Sequence, residues 1–424
     1  MGDSTSRREG REAKPAAAGA ARTAGSYHGG VTTAAPSRAA ALRFVVALGV
    51  VSLLADATYE GGRSILGPYL ASLGASAFAV GLVAGGGELA GYGLRVAAGA
   101  LADRLRRPWL FISLGYAANQ VAVPLLALAR SWLVAAALVV AERSGKAIRT
   151  PARDAVLAEA AEPLGRGKAF GLHEAFDQIG AIAGPLFVAG ALAWFGGYRS
   201  AFALLAVPAA LALAALVIAY RTQPAGAEVR GKEVGEGRGP LLSPALRRYL
   251  LGAALLGLGF ADFPLLAFHL ERERVVDAAL IPMLYAMGMG VDAAAALLSG
   301  ALFDRAGPAS VAMAGLPAAV APALVFLGSA PAAVVGVALW GVAMGVQEAS
   351  LRAGVAELAP SGRRATAYGV FNGVFGLAWF GGSALLGALY DLRPLAAAAF
   401  AALASLCAVA VLSRLRTAQV VAHS

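Results

Sequence analysis

Residues Gly99-Ala100-Leu101-Ala102-Asp103-Arg104 and Gly300-Ala301-Leu302-Phe303-Asp304-Arg305 are near-copies of each other, 201 positions apart. Each ends a long apolar run and opens a short polar loop. A second pair, Ala169-Phe170-Gly171 and Ala367-Tyr368-Gly369, recurs at a spacing of 198. Two matches at nearly one offset mean that the second half of the chain repeats the plan of the first.

Composition says what solvent that plan needs. Of 424 residues, 59% are hydrophobic and only 14% charged, against about 25% charged in a soluble chain. No soluble core is large enough to hide so much apolar surface, so lipid is required. Apolar segments recur at about 44–70, 77–101, 109–129, 132–154, 169–195, 200–220, 249–270, 279–302, 309–329, 332–355, 365–389 and 395–413, here called spans 1 to 12. Most reach the roughly 20 residues that cross a hydrocarbon core as helix. The expected fold is therefore all-α integral membrane, with twelve transmembrane helices in two pseudo-symmetric six-helix halves. Its divisions are a disordered N-terminal tail over 1–42, a half over 43–220, a central loop over 221–248, a half over 249–416 and a tail over 417–424.

The net charge of +10 would raise nucleic-acid binding in a soluble chain. Here the basic residues sit in short loops and act as topology signals. The even-to-odd loops and both ends hold nearly all of them. The other side has only Arg130, Arg199, Arg272, Arg274 and Arg393. Both termini are thus expected in the cytoplasm, in the plasma membrane of a bacterium, since Arg heavily outnumbers Lys and Ala and Gly abound, as in high-GC genes. No apolar stretch follows the early arginines closely enough for a signal peptide. The one cysteine, Cys407, allows no internal disulfide and no Cys-based metal site.

Spans 3, 6, 9 and 12 carry no Asp, Glu, Lys or Arg. The other spans hold Asp56, Glu60, Arg63, Glu88, Arg95, Glu142, Arg143, Lys146, Glu174, Asp177, Asp262, Asp292, Glu348 and Arg352. A charge at the bilayer centre costs roughly 2.5–3.5 kcal/mol on insertion scales, so each must face protein or a wet cavity. Every third span then faces lipid, and spans 1, 4, 7 and 10 can line a cavity. Asp56, Glu60 and Arg63 stand at i, i+4 and i+7, one helical stripe. Two acids with one arginine leave one acid short of a partner, able to carry a proton. Gly61-Gly62 and Gly67-Pro68 would let this helix bend. The i, i+4 pairs Glu142/Lys146 and Glu348/Arg352 read as structural ion pairs. Asp262 and Asp292 have no basic residue in their own spans and are proton or cation candidates. His173 and Asp177 share a face of span 5 where solvent can reach, and His269 reads as interfacial.

The loop after span 2 resembles the signature G-x-L-x-D-R-x-G-R-R of the major facilitator superfamily. Gly99, Leu101, Asp103 and Arg104 match and Arg106-Arg107 supply the basic end, whereas the second glycine is missing. The copy after span 8 keeps Gly300, Leu302, Asp304, Arg305 and Gly307 without the basic pair. Span 5 resembles the family's antiporter signature through Gly171, Gly180, Gly184 and Pro185, with Val188-Ala189 in place of its final glycines. The run from Gly145 to Asp154 is similar to a loosely characterised subgroup. It departs from the R-x-x-Q-G spacing of drug exporters, because Arg143 lies two residues before Gly145.

This resemblance implies a secondary transporter that moves a small organic solute by alternating access, by proton-coupled efflux, with proton-coupled uptake as the alternative. Asp56, Glu60, Arg63, Glu88, Arg95, Glu142, Asp262, Asp292, Glu348 and Arg352 are the candidates for proton coupling or the cavity. Gly99, Asp103, Arg104, Arg107, Gly300, Asp304 and Arg305 would form a conformational latch, an acid at a helix end among arginines biasing two packings. The partners expected are substrate, protons and the lipid bilayer, with no nucleic acid, no cofactor and no metal, for a chain acting as a monomer. A membrane enzyme or receptor finds no support: histidine is scarce and no nucleotide loop is present.

Overall fold

The computed structural model describes residues 37–223, 242–360 and 363–415. Most of the two expected tails and of the central loop lies outside these residues. Helix takes over at their edges: span 1 already begins at Arg38, so residues 38–42 are helical and not tail. Span 6 runs to Thr222 and span 7 starts at Pro244.

Twelve rods follow in order. They are Arg38–Ser64 continued by Leu66–Ser72, Ala77–Leu105, Pro108–Leu125, Trp132–Ala160, Arg166–Phe195, and Tyr198–Leu204 continued by Ala206–Thr222. The second six are Pro244–Gly259 continued by Phe263–Arg272, Leu280–Ala306, Gly315–Leu327 entered through the 3-10 segment Gly307–Ala314, Ala330–Leu358, Arg364–Leu392 and Pro394–Ser413. Length and apolarity alone pick out 10 segments: Leu280–Leu327 counts once although it holds spans 8 and 9, and span 4 is too charged to count.

Local chemistry starts and stops these rods. Ser37, Ser76, Ser131 and Ser243 each accept the N–H three residues on, at 3.2, 3.2, 3.4 and 3.1 Å, satisfying a donor the helix leaves orphaned. Pro108, Pro244 and Pro394 stand at first helical positions, where no N–H is needed. After span 2 the chain turns to positive φ at Arg106, φ 50°, and 201 residues later Gly307 does so after span 8, φ 65°. Arg106 thus occupies the place of the signature's missing glycine at positive φ, in a left-handed helical conformation that costs a side-chain-bearing residue about 1 kcal/mol.

Besides span 6, split at Leu205, spans 1 and 7 are broken, and their outer pieces meet. Span 1 is interrupted at Ile65, between the Gly61-Gly62 and Gly67-Pro68 pairs. Span 7 opens at Phe260–Asp262, and Asp262 caps its second piece by accepting the Phe263 N–H at 2.9 Å. The break frees the Ala261 carbonyl, which the Trp340 indole N–H satisfies at 3.1 Å; backbone opened at membrane depth needs such a partner.

Span 1 packs on spans 5 and 6, span 4 on spans 2 and 3, and span 10 on spans 8 and 9. The halves meet where span 2 lies on span 11, span 5 on span 8, and the short outer pieces of spans 1 and 7 on each other. Leu114, Ile218, Leu316 and Leu403 on spans 3, 6, 9 and 12 are exposed, as lipid-facing helices require. In span 5, a Cβ on Gly180 or Gly184 would overlap the Leu53 or Ala57 carbonyl of span 1, so these glycines let two backbones touch. Likewise Gly67 meets the Pro264 carbonyl of span 7. At the same end the Asp391 carboxylate, closing span 11, accepts the Ala77 and Phe78 N–H groups at 3.0 and 2.9 Å. An acid of one half therefore caps the N-terminus of span 2 in the other.

Gly184→Ala is expected to destabilise the protein by about 1–3 kcal/mol through forced separation of spans 1 and 5. Gly171→Ala, whose Cβ would enter open space, leaves thermal unfolding in detergent unchanged or slightly raised. A second expectation concerns Asp391. In a Cys407→Ser background, Asp391→Ala should raise maleimide labelling of a cysteine replacing buried Leu70 about fivefold, the loss of one cap of about 1 kcal/mol. An unaltered labelling rate would show that the cap does not hold this end shut.

Candidate functional site

Between the halves lies a cavity of about 890 Å³ lined by spans 1, 2, 4, 5, 8, 10 and 11. Its lining comes from the middle of these rods and from their ends nearest the termini, such as residues 143–154 of span 4 and 344–352 of span 10. At the opposite end the Gly67–Pro264 contact and the Asp391 cap shut the molecule. This is a one-sided cavity. Spans 3, 6, 9 and 12 contribute nothing to it, and neither does span 7, although spacing had placed that rod with the cavity-lining set.

The ceiling is built on Arg63. Its Nη2 lies 2.7 Å from Asp262 Oδ1 and 3.4 Å from Glu88 Oε1, and its Nη1 donates to the Tyr59 hydroxyl at 3.1 Å. Asp262 thus holds both a cation and a helix N-terminus. The sequence reading of it as an acid without a basic partner is corrected: the partner sits on span 1, 199 residues away. Beside this pair, the Tyr285 hydroxyl of span 8 donates to Glu60 Oε2 at 2.5 Å. Among the described residues, no Lys or Arg lies within ion-pair distance of Glu60, which is buried. Both contacts tie the first half to the second.

The stripe Asp56, Glu60, Arg63 therefore does not act as one ladder. Asp56 turns to Arg149 of span 4, with Nη2 at 3.6 Å from Oδ1. Arg149 is 1% exposed and stacks over the Tyr116 ring at 4.1 Å. Arg153 reaches Asp154 at 2.9 Å, Asp177 at 3.8 Å and the Ser52 hydroxyl at 3.0 Å. Arg143 takes Glu88 at 2.9 Å, and Lys146 and Arg143 both lie over the Tyr59 ring, at 4.1 and 4.6 Å. Residues 143, 146, 149 and 153 follow helical spacing, so one face of span 4 turns four cations toward the cavity. That periodicity was readable in the sequence, but the run was taken there only as a resemblance.

Two expected i, i+4 pairs do not form. Glu142 accepts from the Asn119 amide at 2.6 Å and lies 3.6 Å from Arg143, away from Lys146; Glu348 and Arg352 make no ion pair and both are exposed to the cavity. A neighbouring helix offered Glu142 a shorter bond than its own helix could. Asp292 is wholly buried with neither carboxylate oxygen hydrogen-bonded, and it packs against span 10 at Gly345, outside the cavity lining. Of the ten candidates, Asp56, Glu60, Arg63, Glu88, Arg95, Glu348 and Arg352 line the cavity, while Glu142, Asp262 and Asp292 stand behind it. His173 is buried with Nε2 3.8 Å from Asp177, and His269, in the last turn of span 7, is buried with Nδ1 2.8 Å from the Tyr390 hydroxyl.

The loop residues Asp103, Arg104, Arg107, Asp304 and Arg305 are remote from the cavity. Asp103 and Asp304 make no ion pair among the described residues. Among the same residues no cluster of His, Cys, Asp and Glu could hold a metal.

The profile of the Major Facilitator Superfamily matches residues 48–383. An uncharacterised protein of Mycobacterium tuberculosis is 46% identical over 358 residues, 83% of this chain and 88% of that one. An uncharacterised MFS-type transporter of Methanocaldococcus jannaschii is 30% identical over 363 residues, 82% of this chain and 89% of its own length. By fold, the chain is similar to the nucleoside transporter NupG, with a TM-score of 0.67 at 12% identity over 88% of this chain and 98% of that one. It is also similar to a bacterial homolog of the human lysosomal transporter Spinster, in an inward-facing and unoccupied conformation. That TM-score is 0.64 at 16% identity, over 90% of this chain and 96% of that one. With a duplicated twelve-rod bundle around a charged, one-sided cavity, this chain is a multi-pass membrane transporter belonging to the major facilitator superfamily.

Proposed function

We propose that this transporter moves a small organic solute across the plasma membrane of a bacterium in exchange for protons, by alternating access, and that the conformation described is the one open to the cytoplasm. The observation that carries the coupling is Glu60. It is a buried acid at the cavity ceiling whose one hydrogen bond among the described residues comes from a neutral hydroxyl on the other half. Ionised, it accepts a charge-assisted bond from Tyr285. Protonated, it loses that charge and the tie between halves weakens. Proton occupancy then biases which end of the cavity is shut, the differential any coupled carrier needs. Asp56, which the sequence favoured equally, has Arg149 as a standing partner and fits a structural role better.

The cytoplasmic assignment of the open end rests on the basic loops and agrees with the inward-facing state named for the Spinster homolog. Export rests on the likeness of span 5 to the antiporter signature. One observation favours uptake as the second reading: Gly180 and Gly184 are accounted for by the close approach of span 1, which leaves less of that likeness to explain.

In proteoliposomes, Glu60→Gln should cut transport driven by a pH gradient about tenfold or more, the scale of a coupling free energy, yet spare exchange at equal pH on both sides. Equal loss of both modes together with a lowered melting temperature would assign Glu60 to structure alone. Orientation and direction are read separately. In intact Cys407→Ser cells, an impermeant maleimide should modify a cysteine at Ser329 and not one at Leu242; the reverse pattern would invert the topology. Inside-out vesicles made acidic within should then accumulate the solute if it is exported.

A further inference from the structure

The cavity holds seven acidic and seven basic side chains, and most are matched. Arg63, Arg143, Arg149 and Arg153 each have a carboxylate within 3.6 Å or less. Lys146 lies on Tyr59 and is the cation that Glu348 feels most strongly. Arg95, over the Tyr92 ring at 5.7 Å, and Arg352, one turn from Glu348, remain. Neither has a carboxylate at ion-pair distance among the described residues, and Arg95 Nε is buried without a hydrogen-bond partner. They stand within coulombic reach of each other and of Tyr92, across the boundary of the halves, Arg95 on span 2 and Arg352 on span 10. The acids that Arg95 also feels, Asp154 and Glu88, are already held by Arg153 and by Arg143 with Arg63.

Beside the two arginines rises an aromatic wall from span 11. Phe371 and Phe375 stack at 5.3 Å, Phe375 meets Trp379 edge-on at 5.4 Å, and Tyr92 packs edge-on against Phe375 at 5.3 Å. All four line the cavity. The indole N–H of Trp379 is buried with no acceptor.

Taking the transport reading as given, we infer that the solute is an amphipathic organic anion. Its carboxylate or phosphate is gripped between Arg95 and Arg352, and its flat apolar body lies against Phe371, Phe375 and Trp379. Two guanidinium groups without ion-pair partners in one partly desolvated cavity repel, and the planar fork of each fits a carboxylate or phosphate in two-point contact. An anion between them turns repulsion into attraction from both sides. Because the arginines belong to different halves, the same contact draws the cavity mouth together, so the correct solute promotes its own occlusion. A neutral or cationic solute cannot do this.

The test uses purified full-length protein in detergent, with melting temperature followed against concentration of 2-naphthoate, 2-naphthyl phosphate, 2-naphthalenemethanol, 2-naphthylmethylammonium and inorganic phosphate. The two naphthyl anions should stabilise saturably, while the alcohol, the ammonium and inorganic phosphate should not. Arg95→Gln and Arg352→Gln should each weaken anion binding about tenfold or more, the worth of one charged hydrogen-bonding group, and Arg95→Lys and Arg352→Lys by less. In a Cys407→Ser background, 2-naphthoate should also slow maleimide labelling of a cysteine at exposed, cavity-lining Ala175. Equal stabilisation by the alcohol or ammonium, or none by either anion, overturns the proposal. So does unchanged anion affinity in both Gln variants. Inorganic phosphate matching naphthyl phosphate overturns the aromatic half, and undiminished labelling at position 175 overturns the closure. None of these readouts uses a pH gradient, so they fail or succeed independently of the Glu60 experiment.

Discussion

Charge cannot stand alone in a lipid core, and the ceiling formed by Arg63, Asp262 and Glu88 is where this molecule meets that constraint most tightly. Breaking one partner of such a buried group costs about 3–5 kcal/mol, because the other is left uncompensated. Around that cluster the outer pieces of spans 1 and 7 come together. Both are short helices set off by a break, and the break in span 7 points the N-terminus of its second piece at Asp262. An unbroken span 7 would have no free N–H groups there, and Asp262 would lose one of its two partners. The discontinuity of the helix and the placement of the charge are therefore one feature.

Duplication built two halves of like plan, yet they have diverged in chemistry. Twelve of the fourteen charged side chains lining the cavity come from spans 1, 2, 4 and 5, and two come from span 10. Span 11 supplies instead three of the aromatic rings. One wall is thus polar and cross-linked by ion pairs, and the facing wall is apolar and packed ring on ring. The repeated runs Gly99 to Arg104 and Gly300 to Arg305 still show the shared plan, although the turns after them have diverged, Arg106 being left-handed helical and Gly307 extended at positive φ. At the closed end the halves are joined by polar ties, Arg63 to Asp262, Tyr285 to Glu60 and Asp391 to the start of span 2. They are joined too by the apolar packing of Leu66 and Leu70 with Leu266 and Phe268 in one core. The polar bonds can be exchanged for water when that end opens, and the apolar contacts are what opening must separate.

Apolar runs in the sequence determined the membrane class and the rods, the repeated loop motifs determined the two halves, and the lack of charge determined the lipid-facing role of spans 3, 6, 9 and 12. Each follows from a local requirement: about 20 apolar residues per crossing, and no uncompensated charge toward lipid. The bend in span 1 was legible in its glycines and Pro68, and seven of ten candidate charges proved to line the cavity. Which charge meets which was decided only by tertiary structure. Arg63 finds Asp262 199 residues away, Glu142 prefers Asn119 to Lys146 one turn along, and Asp292 is buried outside the cavity lining. Such choices depend on the rotation of each helix about its axis and on where helices break, and these are fixed by close contacts such as Gly184 on Ala57. An i, i+4 spacing states that two side chains can meet. It does not say whether a residue of another helix reaches one of them first.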